Sequence, residues 1–238
     1  VSRSPESWKK AHPNQAYCAF DTIANGKAIE TKKIEAIIHL SGANIGRFPW
    51  TKSYKENILN SRVASTKAWV AWLLQQEHKI PLLNANAIGI YGPQTPRPNS
   101  LPQRLDEDSP LGNSSDFLSS VGHAWSKALS PLKKAGKPYA EMRFGIVMSR
   151  KGGALPRMAC PFYAGVGGVL GSGQQAMSWI ALDDLVAAID FILTKNLTGV
   201  YNLTAPKAMT QTDCAHSLAA ALQRPCWMRT PAWLLRVM

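Results

Sequence analysis

The sequence predicts an α/β protein built on a doubly wound parallel sheet, and three observations carry that expectation. Ile34–Leu40, Leu82–Ile88 and Met142–Val147 are short apolar runs without polar alternation, the mark of central strands buried on both faces of a parallel sheet. Longer stretches with apolar residues at helical spacing lie between them. At the carboxyl end of the first run stand the small residues Ser41, Gly42 and Ala43, where an open α/β sheet receives its ligands. From these residues alone, a tight turn without a ligand reads equally well.

The connecting stretches follow the helical period. Trp50 to Glu77 carries Tyr54, Ile58, Val63, Trp69, Val70 and Leu73 at roughly helical spacing, with Thr51 placed to cap its start. The span is long for one globular helix, so a kink or break is expected. Asn57, Ser61 and Arg62 fall on nearby turns of one face. That polar patch either looks back at the Ser41-Gly42 loop or faces solvent. Asp116 to Leu132 is a second helix, with Asp116 as its N-cap and Phe117, Val121, Trp125 and Leu129 as a stripe. Gln15 to Phe20, Tyr139 to Met148 and Val200 to Thr204 read as strands, and residues 93–115, rich in proline, as a long surface loop.

Gly165, Gly167 and Gly168 imitate a phosphate-binding fingerprint, but that fingerprint leaves a strand and opens a helix. This stretch opens no helix and precedes a strand at Met177–Ala181, so it is expected to be a loop over the site. Asp183 or Asp184 is expected to cap the helix that runs to about Leu193, in preference to a catalytic role. Thr210 and Asp213 have capping-box spacing ahead of Cys214, Leu218 and Leu222.

Composition narrows the function classes. At 238 residues and 45% hydrophobic, the chain has material for one large α/β domain or a domain with a small lobe. No apolar run reaches the ~18 residues of a membrane helix, nothing near Val1 resembles a signal peptide, and no membrane partner is expected. The four cysteines lack metal-ligand spacing. They read as free thiols of a reducing compartment, the cytoplasm or an organelle matrix, with no metal. The net charge of +12 is spread along the chain in basic runs no longer than two. Without a nucleic-acid motif, charge alone is a weak argument for nucleic-acid binding.

The order of several motifs is more specific than any one of them. Val1-Ser-Arg-Ser-Pro5, Leu40-Ser-Gly-Ala43, Trp50 followed by Asn60-Ser-Arg62, Arg143-Phe-Gly-Ile-Val147, Gly165 to Gln174, and Trp179-Ile-Ala-Leu-Asp-Asp184 succeed one another. As a set they resemble the atypical, epimerase-like branch of the extended short-chain dehydrogenase/reductases, over nearly the whole chain. The resemblance implies a Rossmann-like sheet with a small C-terminal substrate lobe. Residues 1–150, with 175–204 returning to them, would form the NADP-binding domain. Residues 151–174 and 205–238 would form the lobe. In that family a first strand, a Gly-Gly-x-Gly-x-x-Gly loop and a helix precede the position of Val1, and members continue past Met238. The chain is therefore expected to be truncated at both ends.

The resemblance also implies a cofactor set. Ser2 and Arg3 resemble the pair that takes the 2′-phosphate of NADP. Leu40 and Ser41 match the loop under the cofactor, Asn57 and Arg62 match polar contacts from the following helix, and Val147 matches a residue at the nicotinamide end. Catalytic residues do not carry over. Typical members place a Ser or Thr after the strand matching Leu82–Ile88 and a Tyr-x-x-x-Lys on the next helix. This chain has Asn86, Ala87 and Ile88 at the strand end, Phe117, Leu118 and Gly122 in the helix region, and no Tyr-x-x-x-Lys anywhere. Tyr91 is the nearest phenol, without a lysine partner. The expected function is an NADP(H)-binding epimerase or oxidoreductase acting on an unknown small-molecule substrate. The alternative is a nucleotide-binding module without turnover, a redox sensor or assembly subunit. A homodimer is left open.

Overall fold

The structure is a computed structural model describing residues 34–93 and 104–230. Ser2, Arg3 and the strand expected at Gln15–Phe20 lie outside the described residues. Parallel strands alternate with helices, and the fold is the expected Rossmann-like α/β arrangement. In chain order the elements are β1 (Ile37–His39), α1 (Lys52–Leu74), β2 (Leu82–Ala87), a 3₁₀ turn (Ile88–Tyr91), α2 (Phe117–Lys127), α3 (Ser130–Lys134), β3 (Tyr139–Phe144), β4 (Ile146–Ser149), β5 (Gly152–Gly153), α4 (Ala154–Tyr163), β6 (Gly168–Leu170), β7 (Ala176–Met177), β8 (Trp179–Ala181), α5 (Leu182–Thr194), β9 (Gly199–Leu203), β10 (Met209–Thr210), α6 (Gln211–Leu222) and β11 (Met228–Thr230). A four-stranded sheet runs in the order β1-β2-β3-β9, and smaller sheets run β5-β4-β8, β10-β7 and β11-β6. β1 and β2 are parallel, with Ile37 opposite Leu82 and His39 opposite Asn84.

The chain divides into two compact units. The first comprises residues 1–85, 123–141 and 196–199. Its core gathers Ile37, Trp69, Val70, Trp72, Leu73, Ile80, Leu82, Leu129 and Leu132, so α1 and α3 supply the apolar cover for the start of the sheet. Trp69 and Trp72 meet edge to face at 5.9 Å, a favoured ring geometry. The second unit comprises residues 86–122, 142–195 and 200–238. One of its cores joins Phe162 of α4, Val169 of β6, and Ala215 and Ala219 of α6.

Several sequence expectations change in detail. β1 is buried on one face only: Ile37 and His39 are buried, whereas Ile38 is 46% and Leu40 57% exposed. Among the described residues it pairs with β2 alone. The expected kink in the long helix is absent, and α1 is continuous over 23 residues. It contains no glycine or proline to break the hydrogen-bond ladder, and the Thr51 side chain caps it by accepting from the Tyr54 amide at 3.2 Å. The helix expected over Asp116–Leu132 is divided, because Pro131 opens α3 and contributes no N–H to a continuing ladder. Asp116 does cap α2, accepting from the Ser119 amide at 2.8 Å.

The strand expected at Met142–Val147 divides at Gly145. The Gly145 amide donates to Leu203 of β9 at 3.0 Å, and the next amide, Ile146, donates to Ser178 at 2.9 Å. A Cβ at Gly145 would lie 3.0 Å from the Ser178 oxygen, so a side chain there would press on that carbonyl. Asp183 and Asp184 are not caps. The N-cap of α5 is Ala181, which has no capping side chain. The two carboxylates sit in the first turn, where they complement the helix dipole. The glycine-rich stretch folds in part into β6. Gly168 runs against β11 so closely that a Cβ would overlap the Met228 oxygen.

Candidate functional site

β1 delivers the chain into the Leu40–Ala43 loop, and α1 returns to hold it. The Ala43 amide donates to Ser61 Oγ at 2.9 Å, and the Ala43 carbonyl accepts from Arg62 Nη2 at 3.1 Å. Arg62 Nη1 donates back to the Ile58 carbonyl at 2.9 Å, and its guanidinium lies 5.2 Å from the centre of the Trp125 ring, a cation–π contact. Burial lowers the Arg62 pKa from its usual value. A Cβ on Gly42 would stand 2.9 Å from Arg62 Cζ, so the guanidinium fits over that residue because it has no side chain. Ser61 and Arg62 thus face the loop as one reading of the helical spacing had it. Asn57 is exposed, as are Leu40 and Ser41 on the outer side of the loop.

The loop continues in a braced form. Tyr54 Oη donates to the Asn44 carbonyl at 2.7 Å, and Trp50 Nε1 donates to the Ile45 carbonyl at 2.9 Å. A buried polar cluster lies in the same unit, and the sequence reading missed it. His39 Nδ1 is 2.7 Å from Asn84 Oδ1, Thr66 Oγ1 donates to the same oxygen at 3.2 Å, and Trp125 Nε1 donates to Thr66 Oγ1 at 2.9 Å. A His and an Asn inside otherwise apolar strands were the available signal, since buried polar side chains require partners.

The second unit holds Val147 and Tyr91. Val147 is half-buried in β4, with Ile180 of β8 as its parallel neighbour. The Tyr91 phenol has a cationic neighbour, an arginine where a lysine was sought: Arg143 Nη1 donates to its oxygen at 2.7 Å, and Tyr91 Oη donates to Asn202 Oδ1 at 2.9 Å. Asn86, at the strand end, donates through Nδ2 to the Gly122 carbonyl at 3.2 Å. Among the described residues no group of three or more His, Cys, Asp or Glu is placed to hold a metal, and no helix is long and apolar enough to cross a membrane.

The fold recurs in proteins of known structure. Human epimerase family protein SDR39U1, solved with NADPH, superposes with a TM-score of 0.83 at 27% identity, covering 100% of this chain and 75% of that one. The dTDP-glucose 4,6-dehydratase from Bacillus anthracis, solved with NAD, shares the fold at a TM-score of 0.71 and 19% identity, over 95% of this chain and 70% of that one. In sequence, an epimerase family protein of Staphylococcus saprophyticus is 37% identical over 210 residues, 87% of this chain and 68% of that protein. One of Mycobacterium bovis is 32% identical over 237 residues, 99% of this chain and 74% of that protein. The model of the NAD dependent epimerase/dehydratase family matches residues 2–204. The order of motifs, the sheet and these matches agree, and the chain belongs to the NAD dependent epimerase/dehydratase family.

Proposed function

We propose that this protein binds NADP(H) and acts as an epimerase- or oxidoreductase-type enzyme on a small-molecule substrate. The observation that carries the reading is the Leu40–Ala43 loop, pinned from behind by Ser61 and Arg62 while Leu40 and Ser41 stay exposed. A loop already fixed in place by its neighbours suits a surface that receives a flat cofactor with little reordering. The human relative solved with NADPH supports the choice of dinucleotide.

Ser2 and Arg3 would take the 2′-phosphate, where the arginine's planar fork matches a phosphate in two-pronged fashion. Leu40 and Ser41 would line the cofactor, Asn57 and Arg62 would add polar contacts from α1, and Val147 would face the nicotinamide end. When bound, the nicotinamide supplies hydride transfer. Residues 151–174 and 205–238 would form the substrate side.

One specific observation favours a second reading, a nucleotide-binding module without turnover. The Tyr-x-x-x-Lys that serves typical members as their acid/base dyad occurs nowhere in this sequence. Two measurements separate the readings. NADPH and NADH are titrated into the intact protein by fluorescence, and hydride turnover is followed over a panel of carbonyl and nucleotide-sugar compounds. Saturable NADPH binding with turnover supports the enzyme, and binding without turnover supports the module. Absence of NADPH binding overturns both.

A further inference from the structure

We propose that His39 is a pH-sensitive catch beneath the Ser41–Ala43 loop: its neutral form holds the loop in shape, and its protonation releases it. The coupling to cofactor rests on the reading that this loop receives NADP(H). The argument begins with the tautomer. Asn84 Nδ2 donates to the Ala85 carbonyl at 2.8 Å, which turns its Oδ1 toward His39. An amide oxygen only accepts, so His39 Nδ1 carries the hydrogen and Nε2 keeps its lone pair. His39 is 2% exposed, and Nε2 has no hydrogen-bond partner among the described residues.

Protonation at Nε2 would therefore place a charge and a new N–H donor at a buried atom that no acceptor among the described residues meets. Burial accordingly holds the His39 pKa below its usual value, against the opposing effect of the Asn84 bond. The protonated ring is relieved only by an arrangement that brings Nε2 to water.

That arrangement reaches the loop from two directions. His39 lies two residues before Ser41 on the same chain. Its partner Asn84 Oδ1 also accepts from Thr66, whose hydroxyl receives the Trp125 indole N–H, and Trp125 carries the Arg62 guanidinium that donates to Ala43. Among the charged groups of the surrounding elements that are not exposed, α1 brings Arg62, whose guanidinium lies against the Trp125 ring. α2 brings His123. β2 brings none. β3 brings Glu141, 2% exposed and accepting from Ser126 Oγ at 2.6 Å.

The experiment uses the intact protein, from about pH 8 to about pH 4.5, to reach a midpoint held below that of an ordinary histidine. The His39 Cε1–H resonance and the Gly42 and Ala43 amide resonances are followed without cofactor, then with saturating NADPH. NADPH affinity is measured over the same range for wild type and His39→Asn. The loop amides should shift with the His39 midpoint, and NADPH should lower that midpoint, because binding and proton release are reciprocal. Wild-type affinity should fall more steeply with acid than that of His39→Asn, by at most about tenfold per pH unit. The 2′-phosphate titrates in both proteins and cancels in the difference. Loop amides that ignore the His39 titration overturn the catch, with or without a cofactor. A midpoint unmoved by bound NADPH, or parallel affinity curves, overturns its coupling to the cofactor. No NADPH binding at any pH overturns the functional reading instead, and the cofactor-free resonances still decide the catch. They need no variant, so a misfolded His39→Asn does not blunt the test.

Discussion

Arg143 reaches the Tyr91 phenol by two contacts at once: Nη1 donates to Oη at 2.7 Å, and the guanidinium carbon lies 5.2 Å from the ring centre. Both residues are buried, and the phenol passes its own hydrogen to Asn202. Tyr91→Phe keeps the ring under the guanidinium and removes the oxygen between a buried donor and a half-buried acceptor. Leaving such groups less well paired costs about 1–3 kcal/mol. Chemical denaturation of Tyr91→Phe should show a lower midpoint with an unchanged slope. An unshifted midpoint would mean that the Arg143 and Asn202 groups find equivalent partners elsewhere.

Gly42 and Arg62 should behave as a coupled pair. Gly42→Ala puts a methyl group where Arg62 Cζ stands 2.9 Å away, and the guanidinium is tethered to Ile58, Ala43 and Trp125. The variant should lose stability and NADP(H) affinity together. In the Arg62→Ala background the same methyl group no longer meets the guanidinium and should cost little more. The coupling energy expected for touching residues is about 0.5–3 kcal/mol. Additive losses in a double-mutant cycle would show that the two residues act independently.

Arg3 should decide between the two dinucleotides. Arg3→Ala is expected to weaken NADP(H) binding about tenfold or more, since a charge-assisted hydrogen bond contributes about 1.5–3 kcal/mol. NAD(H) binding should hardly change. Paired titrations measure the ratio, and an equal loss for both cofactors would sink the assignment.

The capping box of α6 gives a local stability test with a pH signature. Thr210 Oγ1 accepts from the Asp213 amide at 3.1 Å, and Asp213 Oδ2 accepts from the Thr210 amide at 3.0 Å. Thr210→Ala should cost about 1 kcal/mol. The hydrogen bond from the Thr210 side chain is the first cause that holds the Asp213 carboxyl below its usual pKa. A depressed carboxylate stabilises the fold above its unfolded pKa, and that contribution is lost as pH falls through the folded value. The difference in melting temperature between wild type and Asp213→Asn should therefore shrink in acid, below about pH 4.

Features set by near neighbours in the chain were legible in the sequence. Thr51, Asp116 and the Thr210–Asp213 box announced themselves because a cap and its target lie three residues apart. Ser61 and Arg62 were legible as a helical patch, since helical period alone puts them on nearby turns. Contacts made across the fold were not legible. His39 and Asn84 are 45 residues apart and Tyr91 and Arg143 are 52 apart, and no local pattern says which buried polar groups will meet. The division at Gly145 escaped for a related reason: the apolar run continues through it, and only the carbonyls of Leu203 and Ser178 reveal the change of partner.

That change of partner has a mechanical meaning. At Gly145 and Ile146 two successive amides, one peptide unit apart, belong to different ladders. Fraying of one ladder reaches this junction and meets a backbone still anchored by the other, so the junction acts as a rip-stop. A side chain added at Gly145 would press on the Ser178 carbonyl, the acceptor of the neighbouring rung. The damage would then start at the one point where both ladders are within reach, and a local strain would become a shared one.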